Sequence, residues 1–159
     1  MLIAIVSDTH GHVEFTRQAV RMLAGFEIGA VIHCGDIGSD EILPLFGDWP
    51  LHFVFGNVDS QPERIRRSAL ENQTCHERFG EVELAGRRLA FLHGDDAQKL
   101  RDAVREACYE LVCYGHTHVA EQHREGGTLV LNPGALYRAQ PHSLAIVDLT
   151  TLEATHIPI

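Results

Sequence analysis

Short apolar runs alternate along the chain with polar, glycine-bearing breaks. Leu2–Val6 runs into Ser7-Asp8-Thr9-His10, Ala30–His33 into Cys34-Gly35-Asp36, and Leu51–Phe55 into Gly56-Asn57. Leu89–Leu92 ends in His93-Gly94, and Leu111–Tyr114 in Gly115-His116-Thr117-His118. Runs of this length, rich in β-branched and aromatic residues, predict strands covered on both faces. Helical patterns lie between them. Val13–Ala24 places Thr16, Ala19, Val20 and Leu23 on one face and stops at Gly25. Ser39 is placed to cap a short helix with Asp40 and Glu41 in its first turn. Asp95 or Asp96 would cap another that buries Leu100, Val104 and Cys108. The second half predicts hairpins: Val82–Leu84 with Arg88–Leu92 around Ala85-Gly86, Val119–His123 with Thr128–Leu131 around Glu125-Gly126-Gly127, and Leu144–Leu149 with Ala154–Ile157. Strand–helix alternation followed by hairpins implies an α/β fold of two facing, mainly mixed β-sheets flanked by helices.

The chain has 159 residues, which fits one domain spanning 1–159, since domains commonly run to about 100–150 residues. A chain of this size buries enough surface to fold without a disulfide or structural metal. Cysteines 34, 75, 108 and 113 form no C-x-x-C pair, so reduced thiols packed as small hydrophobes are expected. The apolar N-terminal run is short, lacks a basic flank and meets Ser7-Asp8, so it reads as a strand and not a signal peptide. No apolar run approaches the roughly 18 residues of a membrane span, and a cytoplasmic location is expected. Twenty-two acidic against 13 basic residues give a net charge of −9, which argues against a dedicated nucleic-acid surface. Histidine is the outlier, with 11 residues, and an acidic chain rich in imidazole points to metal.

The strand ends sharpen that. In open α/β sheets ligands gather outside the carboxyl ends of strands, and here five such ends carry Asp8 and His10, Asp36, Asn57, His93, then His116 and His118. All but the first of these groups have glycine beside the ligand residue, which admits close backbone approach. Seven ligands exceed one tetrahedral zinc. They suit two divalent ions about 3.5–4 Å apart that share a carboxylate, an arrangement used in phosphate-ester displacement. Mixed imidazole and carboxylate donors suit manganese, iron, nickel or zinc.

In order, Asp8-x-His10, Gly35-Asp36, Gly56-Asn57, His93 and Gly115-His116-x-His118 resemble the motifs of calcineurin-like metallophosphoesterases. The short length and Asn132-Pro133-Gly134 resemble its small single-domain bacterial and archaeal phosphodiesterase branch. The resemblance implies an α/β/β/α sandwich. It also implies one metal on Asp8, His10, Asp36 and His118, and a second on Asp36, Asn57, His93 and His116, with Asp36 bridging. Two dications against two carboxylates make the site locally cationic although the chain is acidic. A metal-bridging hydroxide would then attack phosphorus in line. The expected function is a phosphodiesterase, in preference to a monoesterase, acting on a small-molecule phosphate ester. The rivals are a non-catalytic scaffold of this fold that binds partner proteins, as a retromer subunit does, and a nucleotide-directed phosphatase.

Two positions depart from the pattern. Many relatives carry histidine after the asparagine, and the small branch often carries cysteine; this chain has Val58. Asp59 beside dications would be ionised and a poor acid. His12 is the candidate replacement, completing a catalytic set with Asp36 and Asn57. Ala135 stands where the small branch usually has serine, with Arg138 nearby to compensate. Arg64, Arg66 and Arg67 are within reach of a substrate phosphate, although a solvated helix face is favoured. His33 reads as a buried structural histidine, and His52, His76, His123, His142 and His156 as surface or packing residues. Cys34 reads as strand packing. The late hairpins leave strand edges through which a homo-oligomer could form.

Overall fold

The computed structural model describes residues 1–159. Its strands are β1 (Leu2–Val6), β2 (Ile28–His33), β3 (Leu51–Phe53), β4 (Gln73–Cys75), β5 (Phe79–Leu84), β6 (Arg87–Leu92), β7 (Leu111–Cys113), β8 (Ala120–Glu125), β9 (Thr128–Pro133), β10 (Ser143–Asp148) and β11 (Glu153–Pro158). Its helices are α1 (Val13–Leu23), α2 (Pro62–Ser68) and α3 (Ala97–Arg105). One sheet runs β11-β10-β1-β2-β3-β4 and the other β5-β6-β7-β9-β8. In the first, β1 to β4 pair in parallel and β10 and β11 join antiparallel. In the second, a parallel centre of β6, β7 and β9 is flanked by antiparallel β5 and β8. Both sheets are therefore mixed, as expected.

The alternation of strand side chains builds the layers. Ile3, Ile5, Ala30 and Ile32 point between the sheets and meet Leu89, Phe91, Leu111 and Leu131. Ala4, Val6, Val31 and Phe53 point outward onto Ala19 and Leu23 of α1 and Ile65 of α2. Ala90, Leu92 and Val112 turn the other way, onto Ala103 and Val104 of α3. The result is an α/β/β/α sandwich. The four cysteines are free, with Cys34 and Cys113 in the middle layer. No helix is long and apolar enough to cross a membrane. The edge strand β8 is exposed along its whole length and carries Glu121, Arg124 and Glu125, charges of the kind that blunt an open edge.

Two local expectations are corrected. Ser39 opens no α-helix: its Oγ accepts the Glu41 N–H at 3.0 Å in a turn, and only a 3-10 turn, Leu43–Phe46, follows. Pro44 has no N–H to bond the Asp40 carbonyl four residues back, so an α-helix begun at Ser39 cannot run through it, whereas it is tolerated in the first turn of the 3-10 segment. Cys108 lies beyond the face of α3, which stops at Arg105 before Ala107 turns to φ 51°. Asp96 is the α3 cap, accepting the Gln98 and Lys99 N–H groups at 3.1 and 3.0 Å.

Candidate metal centre

The carboxyl ends of β1, β2 and β3 in one sheet meet those of β6 and β7 in the other. Three hydrogen bonds join the loops there. Asp8 N–H donates to Gly35 O at 3.0 Å, His93 Nδ1 to Cys34 O at 2.9 Å, and His116 N–H to Asp8 Oδ2 at 3.1 Å. The last two cross between the sheets. Asp8, His10, Asp36, His116 and His118 have φ between 46° and 68°, left-handed conformations that cost a non-glycine residue about 1–3 kcal/mol each. Such strain persists only where surrounding contacts impose it. Glycines give the room: a methyl on Gly56 would overlap Asp36 Oδ1, and one on Gly115 would overlap Ser7 Oγ.

The ring nitrogens are oriented by backbone carbonyls, which only accept. His93 therefore keeps its proton on Nδ1, toward Cys34 O, and His118 on Nδ1, toward Arg138 O at 3.1 Å. Each leaves Nε2 as a bare lone pair, the arrangement that fixes metal-ligating imidazoles. His118 Nε2 stands 3.2 Å from Asp8 Oδ1 and 3.3 Å from His10 Nε2. His93 Nε2 stands 3.3 Å from Asp36 Oδ2, and His10 Nε2 lies 3.8 Å from both Asp8 Oδ1 and Asp36 Oδ2. Lone pairs thus face lone pairs. Asp8 Oδ1 and His93 Nε2 are buried with no hydrogen-bond partner, although buried polar atoms are nearly always satisfied. Ligands about 2.1 Å from one ion sit roughly 3–3.5 Å from each other, close to the separations seen. The residues fit a divalent cation.

Of the six expected aspartate and histidine ligands, five converge, as two groups: Asp8, His10 and His118, and Asp8, Asp36 and His93. Asp8 belongs to both, while Asp36 Oδ2 stands between His10 and His93. Asn57 and His116 are exposed at the rim. Asn57 sits between Gly56, packed on Asp36, and Val58, whose N–H donates to Asp36 Oδ1 at 3.1 Å. The His116 ring is edge-on to His93 at 5.1 Å.

The electrostatics follow from this crowding. Burial opposes a charged His10, and the Asp36 and Asp8 carboxylates offset it only in part, so its pKa is lowered. Burial likewise opposes ionised Asp36, but His93, the Val58 N–H and His10 outweigh it and hold the carboxyl below its ordinary range. At His93 burial is outweighed by Asp36 and Asp8, and its pKa rises. The carboxylates draw positive charge into this space.

Around the ligands lies a layer that the sequence signalled poorly. His33 is the buried structural residue expected. Its Nδ1 accepts the Gly35 N–H at 3.2 Å and its Nε2–H donates to Thr9 Oγ1 at 3.0 Å, which passes a proton donor on to Ile37 O at 3.0 Å. Burial, with His93 adding to it, lowers its pKa to about 3. Asp59, read from sequence only as a poor acid, accepts the Gly56, Gly38 and Ile37 N–H groups at 2.7, 2.8 and 3.2 Å. It staples the loop after β2 to the loop after β3, and burial raises its pKa. Asn132 clasps the His116–His118 loop through Gly115 O at 2.9 Å and Thr117 Oγ1 at 3.0 Å.

His12 is the N-cap of α1: Nδ1 accepts the Phe15 N–H at 3.3 Å, and the ring stacks on Tyr137 at 4.4 Å. Ala135 is buried. Arg138 is exposed, its guanidinium carbon 5.7 Å from the Tyr137 ring centre, and its carbonyl is what orients His118. Arg64 Nε donates to Asp40 at 2.9 Å, Arg66 pairs with Glu77 at 2.7 Å, and Arg67 is exposed. His52 and His76 meet at 3.1 Å, His142 packs on Phe15, His156 donates to Asn132 O at 2.7 Å, and His123 lies exposed on β8. None of these five joins the ligand groups.

The comparisons with known proteins agree on the family. The model of the calcineurin-like phosphoesterase superfamily domain matches residues 1–152. Phosphodiesterase MJ0936 of Methanocaldococcus jannaschii is 29% identical over 138 residues, covering 84% of this chain and 83% of that protein. The solved structure of a novel archaeal phosphodiesterase superposes with a TM-score of 0.92 at 27% identity, covering 100% of both chains. Vps29 of Chaetomium thermophilum superposes at 0.73 with 16% identity, covering 93% of this chain and 82% of that one, a likeness of fold alone. With motif order, sandwich and family model in agreement, the chain belongs to the calcineurin-like phosphoesterase superfamily, in its small single-domain branch.

Proposed function

We propose that the chain is a metal-dependent phosphodiesterase acting on a small-molecule phosphate ester. The observation that carries this reading is the pair of buried, unpartnered ligand atoms, Asp8 Oδ1 and His93 Nε2, set among other lone pairs. In this reading Asp8, His10, Asp36 and His118 hold one divalent ion, and Asp36, Asn57, His93 and His116 hold the other. The position of Asp36 Oδ2, 3.8 Å from His10 Nε2 and 3.3 Å from His93 Nε2, supports its role as the shared ligand. Manganese, iron, nickel or zinc suits these donors. Two such ions, when bound, supply an activated water and the positive charge that phosphoryl displacement requires.

The chain itself contributes orientation. The Cys34 and Arg138 carbonyls hold two imidazoles, Asp59 holds two ligand loops together, and exposed Asn57 and His116 stand at the rim where an ester arrives. Val58, 44% exposed at the position after Asn57, donates no side-chain proton to a departing alkoxide. Esters with good leaving groups are therefore favoured. Phosphodiesterase MJ0936 and the archaeal phosphodiesterase structure support diesters over monoesters. The test is to strip the protein with a chelator, then assay an aryl phosphodiester and an aryl monoester with added manganese, nickel, zinc or magnesium. Turnover that depends on metal and favours the diester is expected. No metal-dependent turnover on either ester would overturn the reading and favour a partner-binding scaffold.

A further inference from the structure

We propose that the cleft beside the metal centre seats a polyhydroxylated arm of the phosphodiester, of the glycerol or sugar class, with Arg64 as a specificity-determining residue. The inference rests on the phosphodiesterase reading above and names its substrate class. The cleft has a volume of about 410 Å³ and lies between the loop after β2 and the segment from Val58 into α2. It begins at the ligand set: Val58 N–H donates to Asp36 Oδ1 at 3.1 Å, and Gly38 packs so tightly on the His10 and Gly11 backbone that a methyl group there has no room. A diester whose phosphorus sits at the metal ligands therefore has this space for one arm. The Asp59 carboxylate fixes both walls, through Gly38 N–H on one side and Gly56 N–H on the other. The space is preformed.

Its chemistry excludes the obvious alternatives. Only two apolar residues, Val58 and Ile65, line it, too few for an alkyl chain or an aryl ring to gain by leaving water. A second phosphate meets Asp40 and Glu41, and Asp40 already accepts from Arg64 Nε at 2.9 Å. Hydroxyls fit, because each both donates and accepts. Asp40 and Glu41 are acceptors, and Ser39, Ser60 and Gln61 do both. Arg64 has only its Nε–H engaged within the chain, leaving the Nη groups, and the side chains of Ser60 and Gln61 make no hydrogen bond of their own. Arg64 also lines the adjoining groove with Arg67 and Ser68, so its guanidinium is shared by the cleft and the open groove beside it. The Nε–H bond to Asp40 holds the guanidinium at the cleft and leaves its Nη donors for hydroxyl oxygens.

Two p-nitrophenyl phosphodiesters with the same leaving group test this, one carrying glycerol and the other ethanol as the retained arm. With manganese-loaded protein, kcat/KM is expected to favour the glyceryl ester about tenfold, the worth of one or two added hydrogen bonds. R64A should bring the glyceryl-to-ethyl ratio close to one, and Gln61→Ala should lower it. Equal rates on the two esters with unaltered protein, or a ratio unchanged in R64A, would overturn the proposal. If neither ester turns over, the phosphodiesterase reading fails first, and a binding measurement then decides the cleft. Amide shifts at residues 38–41, 58–61, 63 and 64 should saturate at lower glycerol 1-phosphate than propyl phosphate. Identical titrations with both compounds would overturn the proposal.

Discussion

His12 shows how one residue can satisfy two readings of a sequence. It lies two positions past His10, which made it the candidate acid in place of the residue missing at Val58. In the folded chain its Nδ1 accepts the Phe15 N–H and its ring stacks on Tyr137. The cap is therefore its first task, and two variants separate the roles. His12→Asn keeps a side-chain acceptor and should retain stability and rate, whereas His12→Ala should cost about 1 kcal/mol of stability, read by urea denaturation. An Asn variant as stable as the parent, yet much slower on alkyl than on aryl diesters, would restore the acid role. The same scale explains what the sequence could show. Side chains with metal chemistry stand out at strand ends, whereas the Cys34 and Arg138 carbonyls that orient His93 and His118 belong to the backbone and carry no residue signature. Asp59 was visible only as a carboxylate, because two of its three N–H partners, Ile37 and Gly38, lie 22 and 21 residues earlier in the chain, in the loop after β2.

At the scale of elements, the long buried strands were legible and the short polar ones were not. Leu2–Val6 and Leu89–Leu92 announce themselves by composition, but β4 is three residues, Gln73–Cys75, at the edge of its sheet. Three residues cannot display a period. The Ser39 turn carried a valid cap signal that Pro44 overrode. The last residue of β2, His33, binds that strand to the loop after β1 through Thr9, and its neutral form is required because Nδ1 must accept from Gly35 N–H. Its pKa is lowered by burial from 6.5 to about 3. The unfolded chain therefore binds this proton more tightly than the folded chain, and stability is lost as the pH falls from about 6.5 toward 3. Urea midpoints measured at pH 7 and pH 4.5 should differ clearly in the parent protein. In His33→Gln, which has no titrating ring at this position, the difference should shrink. An unchanged pH dependence would mean that other groups govern acid unfolding.

For the whole molecule, the two sheets meet at the site as well as through their apolar middle layer. His93 and His118 belong to loops of one sheet, Asp8, His10 and Asp36 to loops of the other, and their unpartnered lone pairs face across the join. Without a cation this junction holds like charges and buried acceptors together, in a chain that already carries a net charge of −9. A divalent ion there binds the folded state and not the unfolded one, so it should stabilise the whole sandwich. At a free ion concentration of about 100 times Kd the gain is about 2.7 kcal/mol, which for a domain of this size raises Tm by roughly 5–10 °C. Thermal melts of chelator-stripped protein with and without manganese or zinc measure it. Asp36→Asn removes the carboxylate that stands between His10 and His93, and most of the ion-induced rise should vanish with it. The variant's own metal-free Tm is the internal reference, so a general loss of stability does not imitate the effect. An equal rise in parent and variant would remove Asp36 from the ligand set and leave Asp8, the residue common to both groups of ligand atoms, as the shared carboxylate.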